Sequence, residues 1–242
     1  MIRKGSLAYS VISLPGLFLI RLFERLIVAT TGNATFFPAD AAWIRELEAN
    51  WRVIRAELDA LLDREREIPE FKDVSEEQAR ITRGVWRTHI LYVYGRRIAT
   101  NCGRCPETDR LLRVIPGMKT AMFSILAPAT SLAPHRGPFK GVLRYHLALV
   151  VPSDPTSCAI RVGKEVRHWI EGQSLVFDDT HDHEAWNRSD RLRAVLFVDF
   201  VRPLPFPLGV LNRAMIALLS ASPFIRNITT QLDGRVNDID GT

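Results

Sequence analysis

Hydrophobic positions change their spacing along this chain, and the changes divide it. From Leu7 to Ile20 nearly every residue is apolar, interrupted by Pro15, and the run then meets Arg21, Glu24 and Arg25 before Leu26 to Val28. About 14 residues is short of the roughly 20 that span a bilayer. Arg3 and Lys4 ahead of the run suggest a signal peptide, but charges continue from Arg21 to Arg25 where a small-residue cleavage site belongs. The segment is expected to form a helix that lies on or dips into one leaflet of a membrane.

Asp40 to Arg66 has helical period. Trp43, Leu47, Trp51, Ile54, Leu58 and Leu61 recur at three- and four-residue steps with Glu46, Arg55 and Asp59 between them, which predicts one amphipathic scaffold helix. The charged stretch Asp63 to Arg80 contains Pro69 and is expected to be a surface loop with little regular structure. Trp86 to Tyr94 is β-prone, and Pro106 to Val114 reads as a short helix stopped by Pro116 and Gly117.

From Lys119 onward the texture becomes strands separated by turn residues. Ala121 to Leu126, Val142 to Val151, Ala159 to Gly163, Val166 to Ile170, Ser174 to Asp178 and Leu192 to Val201 are rich in β-branched and aromatic residues. Many short strands at close spacing predict a mainly β fold with flanking helices, a sandwich or jelly roll. After Arg202 a proline-rich stretch leads to a second apolar helix, Leu208 to Leu219, bearing Arg213 and followed by Arg226. The expected division is 1–39, an apolar membrane-associating segment; 40–118, a helical N-terminal part of a catalytic domain; 119–202, the β core; and 203–242, an amphipathic helix with a tail disordered from Asp233. The two apolar, arginine-bearing flanks predict docking on a membrane surface, with packing on each other or on a second subunit as the alternative.

Composition adds limits to this picture. A chain of 242 residues, 47% hydrophobic and 24% charged, suits one sizeable core. A net charge of +5 favours anionic partners. No basic run interleaved with aromatics and no recognition-helix signature is visible, so nucleic acid is the weakest class of partner. Three cysteines, Cys102, Cys105 and Cys158, make no disulfide framework and fit a reducing compartment. Cys102 and Cys105 lack a second pair to complete a thiolate zinc site and read as an ordinary loop.

Five of the six histidines, at 135, 146, 168, 181 and 183, fall in the β-rich window, so the chemistry is sought there. Two neutral imidazoles from distant strands can hold a divalent transition metal, and an inward arginine can hold a dicarboxylate. His135 and His183, with Arg193 in the strand that follows, have that form. The carboxylate that completes a two-His-one-carboxylate triad stands two positions after the first histidine, and here that position is Gly137. Arg144 and His146 share one strand face, and Arg193, Val195 and Phe197 share another. If both point inward, two arginines and a histidine enter an apolar cavity, which is costly unless a ligand is there. His181 and His183 share a face if extended, so spacing does not choose between them. His168 and His89 read as structural.

These residues, together with Cys105 to Thr108, Ile115 to Phe123, Leu143 to Leu149, Phe177 to Asp179, His183 to Trp186 and Arg193 to Asp199, resemble the aspartyl/asparaginyl β-hydroxylase family of Fe(II)/2-oxoglutarate dioxygenases. The likeness runs from about Trp86 to Arg202 in several ordered motifs. It implies a double-stranded β-helix, the cupin-like jelly roll, with Fe(II), 2-oxoglutarate and O2. It also implies His135 and His183 as iron ligands in preference to His181. Ser124 and Arg193 would meet the distal carboxylate of 2-oxoglutarate, Arg144 and His146 its iron-binding end, and Trp86 its flank. In this family the vertebrate peptide hydroxylase also carries glycine at the triad position and is active, whereas the bacterial lipid A acyl-chain hydroxylases carry aspartate.

The apolar N-terminal segment, the tryptophan-bearing helix after it, and the ending Arg202-Pro203 followed by Leu211, Asn212 and Arg213 resemble the bacterial lipid hydroxylases. The resemblance implies hydroxylation of an acyl chain of a bacterial lipid, such as lipid A or an ornithine-type lipid. The enzyme would work from the cytoplasmic side of the inner membrane as a peripheral or monotopic protein. A hydroxylase of Asp or Asn in a peptide or free amino acid is the alternative, and an inactive binding module that keeps only the anion pocket is a third possibility.

Overall fold

Alternation along the strand Arg193–Val201 shows why this chain folds in layers. Arg193, Val195 and Phe197 point one way and Ala194, Leu196, Val198 and Phe200 the other, and all seven are buried. A strand apolar on both faces needs cover on both sides.

The computed structural model describes residues 14–63, 68–74 and 76–220. The N-terminal half holds α1 (Leu14–Thr31), β1 (Phe36–Phe37), α2 (Ala42–Ala49), α3 (Trp51–Leu62), α4 (Phe71–Val74), α5 (Glu76–Ile81), β2 (Thr82–Arg83), β3 (Trp86–Val93), β4 (Arg96–Arg97), α6 (Ala99–Gly103) and α7 (Pro106–Leu112). The remainder holds β5 (Met118–Leu126), β6 (Thr130–His135), β7 (Val142–Val150), β8 (Cys158–Val162), β9 (Glu165–His168), β10 (Ser174–Phe177), β11 (His183–Asn187), β12 (Arg193–Val201) and α8 (Leu208–Ser220). The expectations for residues 7–13, for Arg226 and for the tail from Asp233 lie outside the described residues.

A seven-stranded sheet runs β1-β10-β7-β12-β5-β3-β4 and faces a five-stranded sheet, β2-β6-β11-β8-β9. Every pairing is antiparallel. The fold is a jelly roll with flanking helices. Between the sheets lie Trp86, Met122, Leu126, Val195, Phe197 and Phe177 from the large sheet, against Leu132, Ile160, Val162 and Ala185 from the small one. The outer face of the large sheet is covered by α2, α3 and α7, where Ile44, Leu47, Ile54, Leu58 and Leu111 meet Tyr145, Leu147, Leu196 and Val198. Each such fully buried side chain contributes about 1.5–3 kcal/mol of burial free energy. A third cluster joins α1 to α8 through Phe23, Ile27, Phe139 and Ile216.

Two expected elements differ. The amphipathic helix predicted over Asp40 to Arg66 is two helices broken at Asn50, whose φ of −104° and ψ of 12° leave the helical range while its Nδ2 donates to Glu46 O at 2.8 Å. Asparagine bonding its own backbone competes with the ladder. The stretch Asp63 to Arg80, expected to be irregular, contains α4 and α5. Phe71 packs edge-on against Trp86 at 4.5 Å and Ile68 is buried, so a few apolar anchors hold a segment whose charge count suggested a loop. Cys102 and Cys105, expected in a loop, are buried on α6 and at the start of α7.

Candidate active site

β6 and β11 pair with His135 directly opposite His183, and the two imidazole centroids lie 4.1 Å apart. His135 Nδ1 faces Ala133 O at 2.8 Å and His183 Nδ1 faces His181 O at 3.0 Å. A carbonyl only accepts, so each Nδ1 carries the proton and each Nε2 is left bare. Burial lowers the pKa of both rings, with His135 and Arg144 adding to it at His183, which falls to about 3. Both are therefore neutral near pH 7, the form that binds a metal. His181 stands in the turn before β11 and faces a separate cavity; it does not meet His135. No three His, Cys, Asp or Glu side chains among the described residues converge as a complete metal site.

The missing acid at residue 137 has a structural counterpart. A Cβ built on Gly137 would overlap the carboxylate of Asp179, and Gly137 N donates to Asp179 O at 2.7 Å. Asp179 therefore occupies the space in which a side chain at 137 would begin. Burial pushes its carboxyl up, and the Arg144 guanidinium pulls it back. Arg144 bonds Asp179 at 2.9 Å and Asp199 at 2.9 Å, and lies over the Phe197 ring. Burial opposes the Arg144 charge, but the two carboxylates outweigh it and keep the guanidinium protonated. Two bare imidazole nitrogens are borderline donors that suit Fe(II), while the Asp179 carboxylate is engaged by Arg144.

Deeper between the sheets, Arg193 is 1% exposed and has no carboxylate partner among the described residues. Its Nη1 reaches Ser124 O at 3.4 Å, its Nε has no partner, and its guanidinium carbon lies 4.4 Å over the Trp169 ring. Around it Ser124 Oγ accepts from Trp86 Nε1 at 3.0 Å, while both ring nitrogens of His146, Trp169 Nε1 and Thr88 Oγ1 are buried without partners. Burial holds His146 neutral, with Arg193 and Arg144 reinforcing it. The structure thus gathers Trp86, Ser124, His146 and Arg193 on the inner face of four neighbouring strands and places Arg144 at the end nearer His135 and His183. A buried cation without a carboxylate partner, set among several unused hydrogen-bonding groups, suits an anion rich in acceptors.

The separate cavity that His181 faces, of about 280 Å³, has Arg136, Lys140, Thr180 and Asp182 in its wall. Lys140 is buried, bonding Asp178 at 2.6 Å and Asn33 at 3.0 Å. It also lines a second recess, of about 370 Å³, against Arg21, Arg25 and Val28 of α1.

Sequence reasoning missed Trp169 and assigned no role to Asp179. His168 and Ile170 on either side of Trp169 are exposed, so the stretch reads as surface; the signal was a lone tryptophan out of step with its neighbours. For Asp179 the signal was a pair of aspartates closing an apolar strand four residues before His183. His168, with Nδ1 3.1 Å from Cys158 O, and His89, with Nε2 3.3 Å from Asn101 O, sit apart from the chamber in structural roles.

The family model of aspartyl/asparaginyl beta-hydroxylase matches residues 48–203. An ornithine lipid ester-linked acyl 2-hydroxylase from Rhizobium tropici is 44% identical over 200 residues, covering 82% of this chain and 71% of that protein. The human aspartyl/asparaginyl beta-hydroxylase is 35% identical over 167 residues, covering 66% of this chain but only 21% of the longer human protein. Among solved structures, a Pseudomonas putida prolyl-4-hydroxylase aligns with a TM-score of 0.43 at 18% identity, covering 75% of this chain and 100% of that one.

Proposed function

The chain belongs to the aspartyl/asparaginyl β-hydroxylase family, and we propose that it is an Fe(II)- and 2-oxoglutarate-dependent dioxygenase that hydroxylates an acyl chain of a bacterial membrane lipid of the ornithine-lipid type. The observation that carries the chemistry is Arg193: a fully buried cation with no carboxylate partner, in the same barrel as two neutral, Nδ1-anchored imidazoles. The choice of a lipid is supported by the Rhizobium relative, whose match covers more of this chain than the human one does.

In this reading His135 and His183 hold Fe(II) through Nε2. Arg193 binds the distal carboxylate of 2-oxoglutarate as a two-pronged donor, seated on Trp169 and assisted by Ser124, and Trp86 holds the Ser124 hydroxyl in place. His146 and Arg144 lie toward the keto-acid end. Bound Fe(II) supplies the activation of O2 that couples loss of carbon dioxide from 2-oxoglutarate to hydroxylation of a C–H bond. The protein positions the co-substrate and substrate and keeps water from the chamber; the apolar wall of Phe177, Phe197 and Val162 serves that end. Asp179, ion-paired with Arg144, fills the space against Gly137. A substrate that resides in a bilayer implies a peripheral or monotopic enzyme, here on the cytoplasmic side of the membrane. Among the described residues no helix is long and apolar enough to cross one.

Mass spectrometry of lipid extracts from cells with and without the gene tests the substrate, with purified protein assayed in parallel for 2-oxoglutarate-dependent succinate release. An ornithine lipid heavier by one oxygen is expected. Succinate release with a peptide or amino acid as the hydroxylated species would replace the lipid; no succinate release with Fe(II) present would overturn the dioxygenase.

A further inference from the structure

The family region spans residues 48–203, and the two helices that lie outside it, α1 and α8, pack on each other. Phe23 and Ile27 of α1 meet Ile216 of α8 over Phe139, four residues after His135. Each helix then has a second apolar face that no described residue covers. Phe18, Leu22 and Leu26 recur every fourth residue along α1 with Leu19 beside them, and Val210, Leu211 and Leu218 project from α8. Phe206 precedes α8. All are between 44% and 87% exposed. An apolar patch of this kind marks an interaction surface.

Charge identifies what covers it. Arg21 and Arg25 on α1 and Arg213 on α8 are exposed and form no ion pair with another described residue. The single acid of α1, Glu24, lines the same recess as Arg21 and Arg25 and attracts Arg21, while its Oε1 accepts from Lys140 N at 3.0 Å; α8 has no acidic residue. Arg21, Glu24, Arg25 and Lys140 line the recess of about 370 Å³, and Lys140 also walls the cavity lined by Arg136, His181 and Asp182. An apolar stripe edged by exposed arginines, beside a recess whose wall carries Arg21, Arg25 and Lys140 against the single acid Glu24, fits an anionic bilayer.

We propose that the paired outer faces of α1 and α8 are the docking surface for an anionic lipid bilayer, with Arg21 and Arg25 meeting the phosphate or carboxylate of a headgroup at the recess next to Lys140. The proposal rests on the lipid reading above and specifies where the membrane lies. The apolar side chains enter the acyl region while the arginines stay at headgroup depth.

Sedimentation of the full chain with vesicles of phosphatidylcholine, with and without phosphatidylglycerol, tests it. Binding to the anionic vesicles is expected, weakening as salt is raised. L22E/L26E, and separately L218E, should each lower the partition by about tenfold with the melting temperature unchanged. R21Q/R25Q should remove most of the preference for anionic vesicles. No binding of the unmodified chain, or unchanged binding by folded L22E/L26E and L218E, would overturn the proposal. So would light scattering that shows a dimer dissociated by those substitutions, since the face would then belong to a second copy. Assay of the unmodified chain on ornithine lipid in detergent micelles separates the two readings: no hydroxylation there counts against the lipid substrate, whatever the vesicles show.

Discussion

Two arginines enter the same barrel from neighbouring strands, and their surroundings are opposite. Arg144 on β7 is met by Asp179 and Asp199, each at 2.9 Å. Arg193 on β12 is more completely buried and meets no carboxylate among the described residues, only the Cys158 thiol, a carbonyl at 3.4 Å, an aromatic face and orphaned donors. Removing a cation from water costs several kcal/mol, and Arg144 recovers that cost within the protein while Arg193 does not. The difference separates a scaffold charge from a ligand charge. Arg144 fixes the acids around Gly137; Arg193 leaves the unliganded protein with a deficit that an incoming carboxylate relieves.

The largest expected effect comes from breaking the satisfied arginine. R144M leaves the buried Asp179 and the partly buried Asp199 without a counter-charge and should cost about 3–5 kcal/mol of stability in denaturant titrations. The deficit should depend on pH. Burial already raises the Asp179 carboxyl above the ordinary 3.8, and loss of Arg144, which lowers it, raises it further. A carboxyl whose folded value is raised binds protons more readily folded than unfolded, so its contribution falls as pH climbs from 3.8 through the raised value. R144M should therefore be least impaired in acid and most impaired above neutrality, and a deficit independent of pH would place the charge balance elsewhere.

Breaking the unsatisfied arginine should do the reverse. R193M removes a buried charge that has no partner, so the unliganded protein should be as stable as the parent or more so. The 2-oxoglutarate concentration needed for half-maximal succinate release should rise by about 100-fold, or roughly 2.7 kcal/mol. Stabilisation of the parent by added 2-oxoglutarate in a thermal melt should vanish in the variant. A variant destabilised as much as R144M would show that Arg193 is also a structural charge and end the contrast.

The contrast also shows what sequence can carry. Alternation told that Arg144 and His146 share a face and that Arg193, Val195 and Phe197 share another, and the jelly roll follows from the spacing of the strands. Which arginine is neutralised was not visible, because Asp179 reaches Arg144 from a turn between two strands and Asp199 from the neighbouring strand. Pairing across a barrel is a tertiary fact. The strands Thr130–His135 and His183–Asn187 were also not predicted, since prolines and polar residues interrupt their alternation, yet their pairing sets His135 against His183. Spacing left His181 and His183 equal, and the turn that ends at Asp182 separates them. The charged segment over α4 and α5 concealed Phe71 and Ile68, whose burial depends on Trp86 being in place.

The smallest effect concerns what orients the unmet charge. Trp169 lies under the Arg193 guanidinium at 4.4 Å, and its indole N–H is buried without a partner in the same chamber. The ring face is attracted to the cation, and the N–H is free to donate to a bound acceptor; a phenylalanine keeps a weaker face and loses the donor. W169F should therefore raise the half-saturating 2-oxoglutarate about 3- to 10-fold, roughly 1 kcal/mol, with the maximal rate little changed. A loss of maximal rate at unchanged saturation would mean that Trp169 supports the barrel and not the anchor. The double variant R193M/W169F distinguishes the two: if the tryptophan acts through the arginine, its effect on saturation disappears once Arg193 is gone, whereas an independent contact adds in full.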